Sequence, residues 1–182
     1  MGELEAVIMN SMFRDYFPIT EPDGTAQSLA PYFPMYQALR DQLMEILADD
    51  DLSYQVGGAN PRLGALCREI GEIERSYIES FKTFRLDFEY RNTDSRLESS
   101  VAALSSWYTE LDSELRTAIE ALSEDDVTNR KIDRTDFPGF APELRVHLDI
   151  YKEALLIFYS KVDVYLRALG KTPTEQWRKW IG

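Results

Sequence analysis

The chain has 182 residues, with 20 Lys and Arg against 32 Asp and Glu, a formal net charge of -12 and a single His. Its 44% hydrophobic and 29% charged residues are globular values, so the composition excludes a wholly disordered or collagenous chain. An acidic chain without a basic block is poorly suited to neutralising phosphates, so nucleic acid is not expected as a partner. No apolar run approaches the ~20 residues that span a bilayer, and no membrane contact is expected.

Cysteine usage and the N-terminus indicate the compartment. Cys67 is the one cysteine and cannot form a disulfide within the chain. Residues 1–10 lack the basic start and the long apolar run of a signal peptide. We therefore expect a protein of a reducing cytoplasm.

The first third of the chain predicts an arm and one helix. Residues 1–28 mix aromatic side chains with a turn at Pro22, and we expect an irregular N-terminal arm that wraps across the rest of the protein. A helix is predicted near residues 32–50, and its apolar face consists of Tyr36, Leu39, Leu43 and either Ile46 or Leu47. Three acids at residues 49–51 oppose the helix dipole at its C-terminus, so its last turn should fray.

Three longer helices follow from apolar residues that recur in steps of three and four. The second helix opens on Pro61, and its apolar series is Leu63, Leu66, Ile70, Ile73, Tyr77, Phe81 and Phe84. The third has Asp94 or Ser95 as its N-cap and the series Leu97, Val101, Leu104, Tyr108, Leu111, Leu115, Ala118 and Leu122. The fourth spans about residues 142–169, with the series Leu144, Leu148, Tyr151, Leu155, Phe158, Val162, Tyr165 and Leu169.

The remaining segments complete the predicted architecture. Residues 123–141 form a long polar crossover, and Glu175 to Ile181 is predicted to be a short docking helix. Its Trp177 and Trp180 would form a homodimer patch if they were not docked internally. The sequence thus predicts an all-α fold: a single-domain antiparallel four-helix bundle over residues 29–182, preceded by the arm.

Two stretches of this pattern resemble a known family. They are Leu63 to Tyr77 (LGALCREIGEIERSY) and Tyr165 to Pro173 (YLRALGKTP), within a similarity that covers residues 32–173. The chain resembles the DinB-like superfamily of damage-inducible bacterial four-helix bundles. The resemblance implies a bundle with an atypical connection, and in many members a divalent metal held by three histidines. Some members are thiol-dependent transferases or isomerases.

The residues at the matching positions depart from that metal site. The resemblance places Glu69 at the histidine of the second helix, and Ala154 and Phe158 at the HxxxH pair of the fourth. Ala has no donor atom, Phe fills space without one, and a single carboxylate does not hold a metal that takes three protein ligands. We therefore expect that the metal site is not retained.

A rebuilt site is the alternative interpretation. His147 precedes Ala154 by seven residues and shares its helix face, and Glu69 or Glu153 could complete a His and carboxylate set for Zn, Ni, Mn or Fe. In the simpler interpretation His147 hydrogen-bonds to a carboxylate or a carbonyl, and Glu69 pairs with an arginine. A nucleophilic role for Cys67 beside His147 is possible in the same way, but its seam position is typical of core filling.

The same residues predict a pocket for an apolar or thiol small molecule. Its candidates are Glu69, His147, Tyr151, Ala154 and Phe158, although helical spacing also makes the aromatic members ordinary core. Two functional hypotheses follow. In the first, the protein is a small-molecule-binding or interaction protein with a degenerate metal site and no cofactor; a structural homodimer without a ligand is a further option. In the second, it is a metal-dependent hydrolase or thiol-dependent transferase that uses the rebuilt site around His147 and Glu69.

Overall fold

The computed structural model describes residues 33–182, so the predicted arm at residues 1–28 lies outside the described residues. The α-helices are α1 (Phe33–Ile46), α2 (Leu63–Thr83), α3 (Val101–Glu120), α4 (Glu124–Asn129), α5 (Leu144–Ala168) and α6 (Glu175–Trp180). Two short strands are β1 (Arg85–Leu86) and β2 (Asp133–Arg134). Short 3-10 helices occupy Asp49–Ser53 and Ser95–Glu98. All four predicted long helices are present, within a few residues of their expected ends.

The C-terminus of α1 and the N-terminus of α3 differ from the prediction, the first because of local charge and the second because of which residue caps the helix. α1 stops at Ile46, and the three acids at residues 49–51 instead open a separate 3-10 helix. At a helix start, negative charge is favourable, so the break removes the conflict with the dipole. Asp94 caps the 3-10 helix that precedes α3, while Ser100 caps α3 itself by accepting from the Ala103 N–H.

The four long helices pack as a bundle in which α1 and α2 each contact α3 and α5. Along α2 and α3, Gly64 lies against Glu98 and Arg75 pairs with Glu114, so residue numbers rise together and the two helices run parallel. Along α2 and α5, Ser80 contacts His147 while Pro61 accepts from Tyr165, so these helices run antiparallel. The all-α bundle is confirmed, and its order is mixed rather than antiparallel throughout.

The α2–α3 contact is close because α2 has two glycines on that side. A Cβ on Gly71 would lie 2.4 Å from the Trp107 ring, and one on Gly64 would lie 2.3 Å from the Glu98 carbonyl oxygen. Neither position accepts a larger side chain without movement of its neighbour. The two glycines therefore let α2 approach α3 and the 3-10 helix before it closely.

The predicted crossover at residues 123–141 contains structure that the sequence pattern did not show. It holds α4 and β2, and β2 pairs in parallel with β1, with Arg85 opposite Asp133 and Leu86 opposite Arg134. Two-residue strands are too short to produce an alternating pattern. This pair ties the segment after α2 to the segment before α5.

The C-terminal segment forms the predicted docking helix, α6. Trp177 is fully buried, donates from Nε1 to Asp163 Oδ1 at 3.1 Å and packs edge-on against Tyr159. Trp180 packs edge-on against Tyr36 of α1, with 6.2 Å between ring centroids. Since both tryptophans dock internally, the homodimer patch predicted for an undocked tail does not form.

Candidate functional site

A charged cluster lies in the centre of the bundle, where sequence analysis placed only apolar side chains. Arg40 of α1 is fully buried and forms ion pairs with Glu74 of α2 and Asp112 of α3. Gln37 donates to the same Asp112 oxygen at 2.7 Å, and the Arg40 guanidinium lies 4.2 Å from the centroid of the Tyr108 ring. One cation thus joins three helices through two carboxylates and one aromatic face.

The cluster is not fully satisfied by its own members. The Nε of Arg40 and the Oε1 of Glu74 are buried and have no hydrogen-bond partner among residues 33–182. Burial, with the negative charge of Glu74 adding to it, raises the pKa of Asp112 to about 7, although Arg40 opposes this shift. The ionised form of Asp112 is therefore less favoured in this cluster than in water.

His147 occupies a separate buried site at one end of the bundle. Its Nε2 lies 2.8 Å from Ser80 Oγ, and its ring lies against Tyr77 and Phe81. The Nδ1 atom is buried without a partner in the described part of the chain. Burial, together with the charge of Arg134, lowers the pKa of His147 to about 3, so its ring is neutral at physiological pH. The expected partner of His147 is a carboxylate or a carbonyl, and the structure supplies the hydroxyl of Ser80.

The structure does not bring the predicted metal candidates together. Glu69 is exposed on α2 and lies eleven residues before Ser80, which contacts His147. At 1.5 Å per residue this is roughly 16 Å along the helix, beyond the reach of a glutamate side chain. Glu153 is exposed on α5, whereas His147 of the same helix is buried, so these two side chains point to different sides.

The other ligand positions of the resembled family hold no donor. Ala154 is half-buried on α5, and Phe158 is 3% exposed within the apolar core. Among residues 33–182 no three His, Cys, Asp or Glu side chains are grouped so that they can hold a metal ion. The residues present thus do not fit the three-ligand metal site that the resemblance implies.

A cleft of about 430 Å³ lies beside α2, and Glu69 is the one pocket candidate that lines it. Its charged side chains are Arg68, Glu69, Glu72 and Arg91, and its apolar ones include Ala65, Ile73 and Phe88. His147, Tyr151 and Phe158 lie in the closed core instead, at 0%, 1% and 3% exposure. The structure therefore places three of the five predicted pocket residues in the core and one in the cleft, and leaves Ala154 half-buried on α5.

Three of the four charged side chains around the cleft form ion pairs or hydrogen bonds with described residues, and the fourth does not. Arg68 pairs with Glu98 at 2.5 Å and lies 3.4 Å from Glu72, which also accepts from the Asn92 N–H at 3.0 Å. The Nη1 of Arg91 donates to the carbonyls of residues 88 and 90. Glu69 forms no ion pair or hydrogen bond with any residue of the described range, so the expected pairing with an arginine is not made. The cleft thus presents one unused carboxylate.

Cys67 is packed in the core, as its seam position predicted. It is fully buried, and burial raises the pKa of its thiol to about 12, although a hydrogen bond to Tyr108 opposes this shift. A thiol that stays protonated at neutral pH and has no solvent access is not a nucleophile.

The fold is an all-α four-helix bundle, and comparison with solved structures shows which type of four-helix bundle it is. The structure is similar to the DinB-like protein YjoA of Bacillus subtilis, with a TM-score of 0.63 and 18% identity over 79% of this chain and 93% of that one. It is also similar to a DinB-like protein of Bacillus cereus, with a TM-score of 0.67 and 16% identity over 82% of this chain and 96% of that one. The chain has the DinB-like fold, which the resemblance predicted.

Two comparisons based on sequence found no match. No family model matches the chain, and no curated protein matches it. Among the helices of residues 33–182, none is both long and apolar enough to cross a membrane.

Proposed function

We propose that this chain is a member of the DinB-like superfamily that has lost the three-histidine metal site and serves as a cytoplasmic small-molecule-binding protein. The observation that carries the proposal is the packing of Phe158, which fills the core at a position where the resemblance implies a metal ligand. Ala154 removes a second donor, and Glu69 faces solvent at the third position. The unused carboxylate of Glu69 then lies in a cleft of ligand size.

The cleft favours a small apolar molecule with an amino group over the apolar or thiol ligand expected from sequence. Ile73 and Phe88 offer apolar surface, while both arginines of the lining are engaged with carboxylates or carbonyls. Glu69 remains as the charge that a ligand can neutralise. An ammonium group is a partner with which this carboxylate can form a charge-assisted hydrogen bond.

A thermal-shift comparison of hexylamine, hexanoic acid and hexanethiol tests this ligand class. Hexylamine should raise the melting temperature of the wild-type protein, and Glu69→Gln should abolish the increase. Glu120→Gln, at an exposed α3 position, is the matched control and should keep it. A larger shift with the acid or the thiol contradicts the amine assignment, and an unchanged response in Glu69→Gln contradicts the cleft as the site.

The metal-dependent hydrolase or thiol-dependent transferase is the less supported alternative, because Glu69 and His147 are too far apart to share a metal ion. Protein purified without chelators and without a histidine tag should contain far less than one equivalent of Zn, Ni, Mn or Fe. Added metal should leave its melting temperature unchanged, and His147→Ala should not alter the metal content. Stoichiometric metal that disappears in His147→Ala, measured by elemental analysis, would restore the enzyme hypothesis.

A further inference from the structure

The outward face of α5 carries apolar side chains that no described residue covers. Val146, Ile157 and Val164 are 45%, 57% and 52% exposed. Single exposed apolar residues are ordinary, but the spacings of eleven and seven place these three on one face of the helix. Half-buried Ile150 lies on the same face, seven residues before Ile157. The row extends over five turns of α5.

The residues along this row are spaced symmetrically about Ile157, and the charged pair at equivalent positions has opposite signs. Four residues before Ile157 is Glu153 and four residues after it is Lys161, both exposed. Seven residues before it is Ile150 and seven after it is Val164. An acid on one side is therefore matched by a base on the other, and an apolar residue by an apolar residue.

The two charges have no partner within the described part of the chain. Neither Glu153 nor Lys161 forms an ion pair or hydrogen bond with a residue of 33–182. They are eight residues apart on one helix, roughly 12 Å along its axis, so they do not pair with each other. A surface that presents a base to Glu153 and an acid to Lys161 would complement both charges.

We infer that this surface is α5 of a second copy of the chain, packed antiparallel across a two-fold axis at Ile157. In a two-fold interface the same patch serves both subunits, so a residue and its counterpart exchange places. Ile157 then meets Ile157, and the two helices cross at about −50°, the angle at which the i±4 ridges formed by Glu153, Ile157 and Lys161 lie alongside each other. Each Glu153 meets the other copy's Lys161, so two ion pairs flank the apolar centre.

The inference is independent of the cleft, which lies on α2 and involves none of these residues. A standard stable interface buries about 800 Å² on each partner, and a single helix face is at the small end of that range. The dimer should therefore dissociate in the micromolar range. Charge reversal can test it without disturbing the fold, because both charged positions are exposed.

Sedimentation equilibrium of the full chain and its charge variants is the decisive experiment. Wild-type protein should approach twice the chain mass of 21.0 kDa as concentration rises. Glu153→Lys and Lys161→Glu should each weaken dimerisation about tenfold or more, because two attractive contacts become repulsive. An equimolar mixture of the two single variants should dimerise again, and the double variant with both charges exchanged should dimerise alone. Arg116→Glu, on the exposed face of α3, is the matched control and should behave as wild type.

Each other outcome overturns the α5 dimer. A monomer at all concentrations means that the row is covered by the chain's own residues 1–32 or by nothing. Dimers that persist in both single variants place the interface elsewhere. Dimerisation that is lost in the single variants but not recovered in the mixture contradicts the antiparallel pairing of Glu153 with Lys161.

Discussion

Replacing Arg40 by leucine should lower the free energy of unfolding by about 3–5 kcal/mol at pH 8, the loss expected when one partner of a buried ion pair is removed. The variant leaves the carboxylates of Glu74 and Asp112 in the centre of the bundle without their cation. It also removes the guanidinium from the face of Tyr108. Urea unfolding monitored by circular dichroism measures the change.

The pH at which the measurement is made separates charge from packing. Arg40 opposes the rise in the pKa of Asp112, so its removal raises that pKa further above 7. At pH 5 the carboxyl is then protonated, and the loss of stability should be clearly smaller than at pH 8. A triple variant, Arg40→Leu with Glu74→Gln and Asp112→Asn, should recover most of the stability. Equal losses at both pH values and no recovery in the triple variant would show that Arg40 acts only through packing.

The helices could be predicted from sequence because their apolar residues follow the helical repeat without a gap. Every member of the α3 series from Leu104 to Leu122 is buried, and so is every member of the α5 series from Leu144 to Tyr165. Burial of a continuous apolar stripe drives such helices together, so the apolar positions of the sequence repeat are the buried positions of the fold. The strand pair and α4 were not predicted, because two residues and six residues are too short to show a period.

The charged centre could not be predicted, because a buried ion pair looks like solvent-exposed charge in a sequence. Ile73 was assigned to the apolar seam of α2, but the structure buries Glu74 and leaves Ile73 half-exposed at the cleft. Glu74 is spaced four residues after Ile70 and three before Tyr77, which is itself seam spacing. That spacing is the feature of the sequence that indicates the burial of Glu74. Its partners, Arg40 and Asp112, lie on other helices, and only the packing of three helices brings them together.

The candidate site was predicted only in part for a related reason. The resemblance assigned the ligand positions of the family to Glu69, Ala154 and Phe158, which required only residue identity. It could not show that Glu69 faces a cleft while His147 is enclosed by Tyr77 and Phe81, because both lie beside the apolar seam in sequence. The depth of a side chain follows from how neighbouring helices are rotated, which the periodicity of one helix does not determine.

The pH dependence of stability should contain two opposing contributions, from Asp112 and His147. The folded pKa of Asp112 is raised from 3.8 to about 7, so the folded state holds a proton that the unfolded state has lost. Its contribution to stability is complete below pH 3.8 and is lost as pH rises to 7. The folded pKa of His147 is lowered from 6.5 to about 3, so its contribution is complete above pH 6.5 and is lost as pH falls to 3.

Between about pH 4 and pH 6.5 the two slopes have opposite signs and similar size, about 1.4 kcal/mol per pH unit each as an upper bound. The wild-type free energy of unfolding should therefore vary little in this window. In His147→Leu the Asp112 contribution is left alone, and stability should fall by up to about 3 kcal/mol as pH rises from 4 to 6.5. In Asp112→Asn the His147 contribution is left alone, and stability should rise by a similar amount across the same window.

Urea unfolding at half-unit pH intervals, with the double variant included, distinguishes these contributions from the rest of the chain. The carboxylates of Asp51, Asp94, Asp126 and Asp136 have lowered pKa values, so their contributions are lost only at the acidic end. The contributions of Asp51, Asp94 and Asp126 are the same in every variant and cancel in the differences between curves, whereas the contribution of Asp136, whose pKa His147 helps to lower, changes slightly in His147→Leu. The two single-variant curves should therefore cross, with His147→Leu favoured at low pH and Asp112→Asn at high pH. Parallel curves would mean that neither buried group changes its proton affinity on folding, whereas a slope that changes in only one variant would assign the pH dependence to the group that this variant removes.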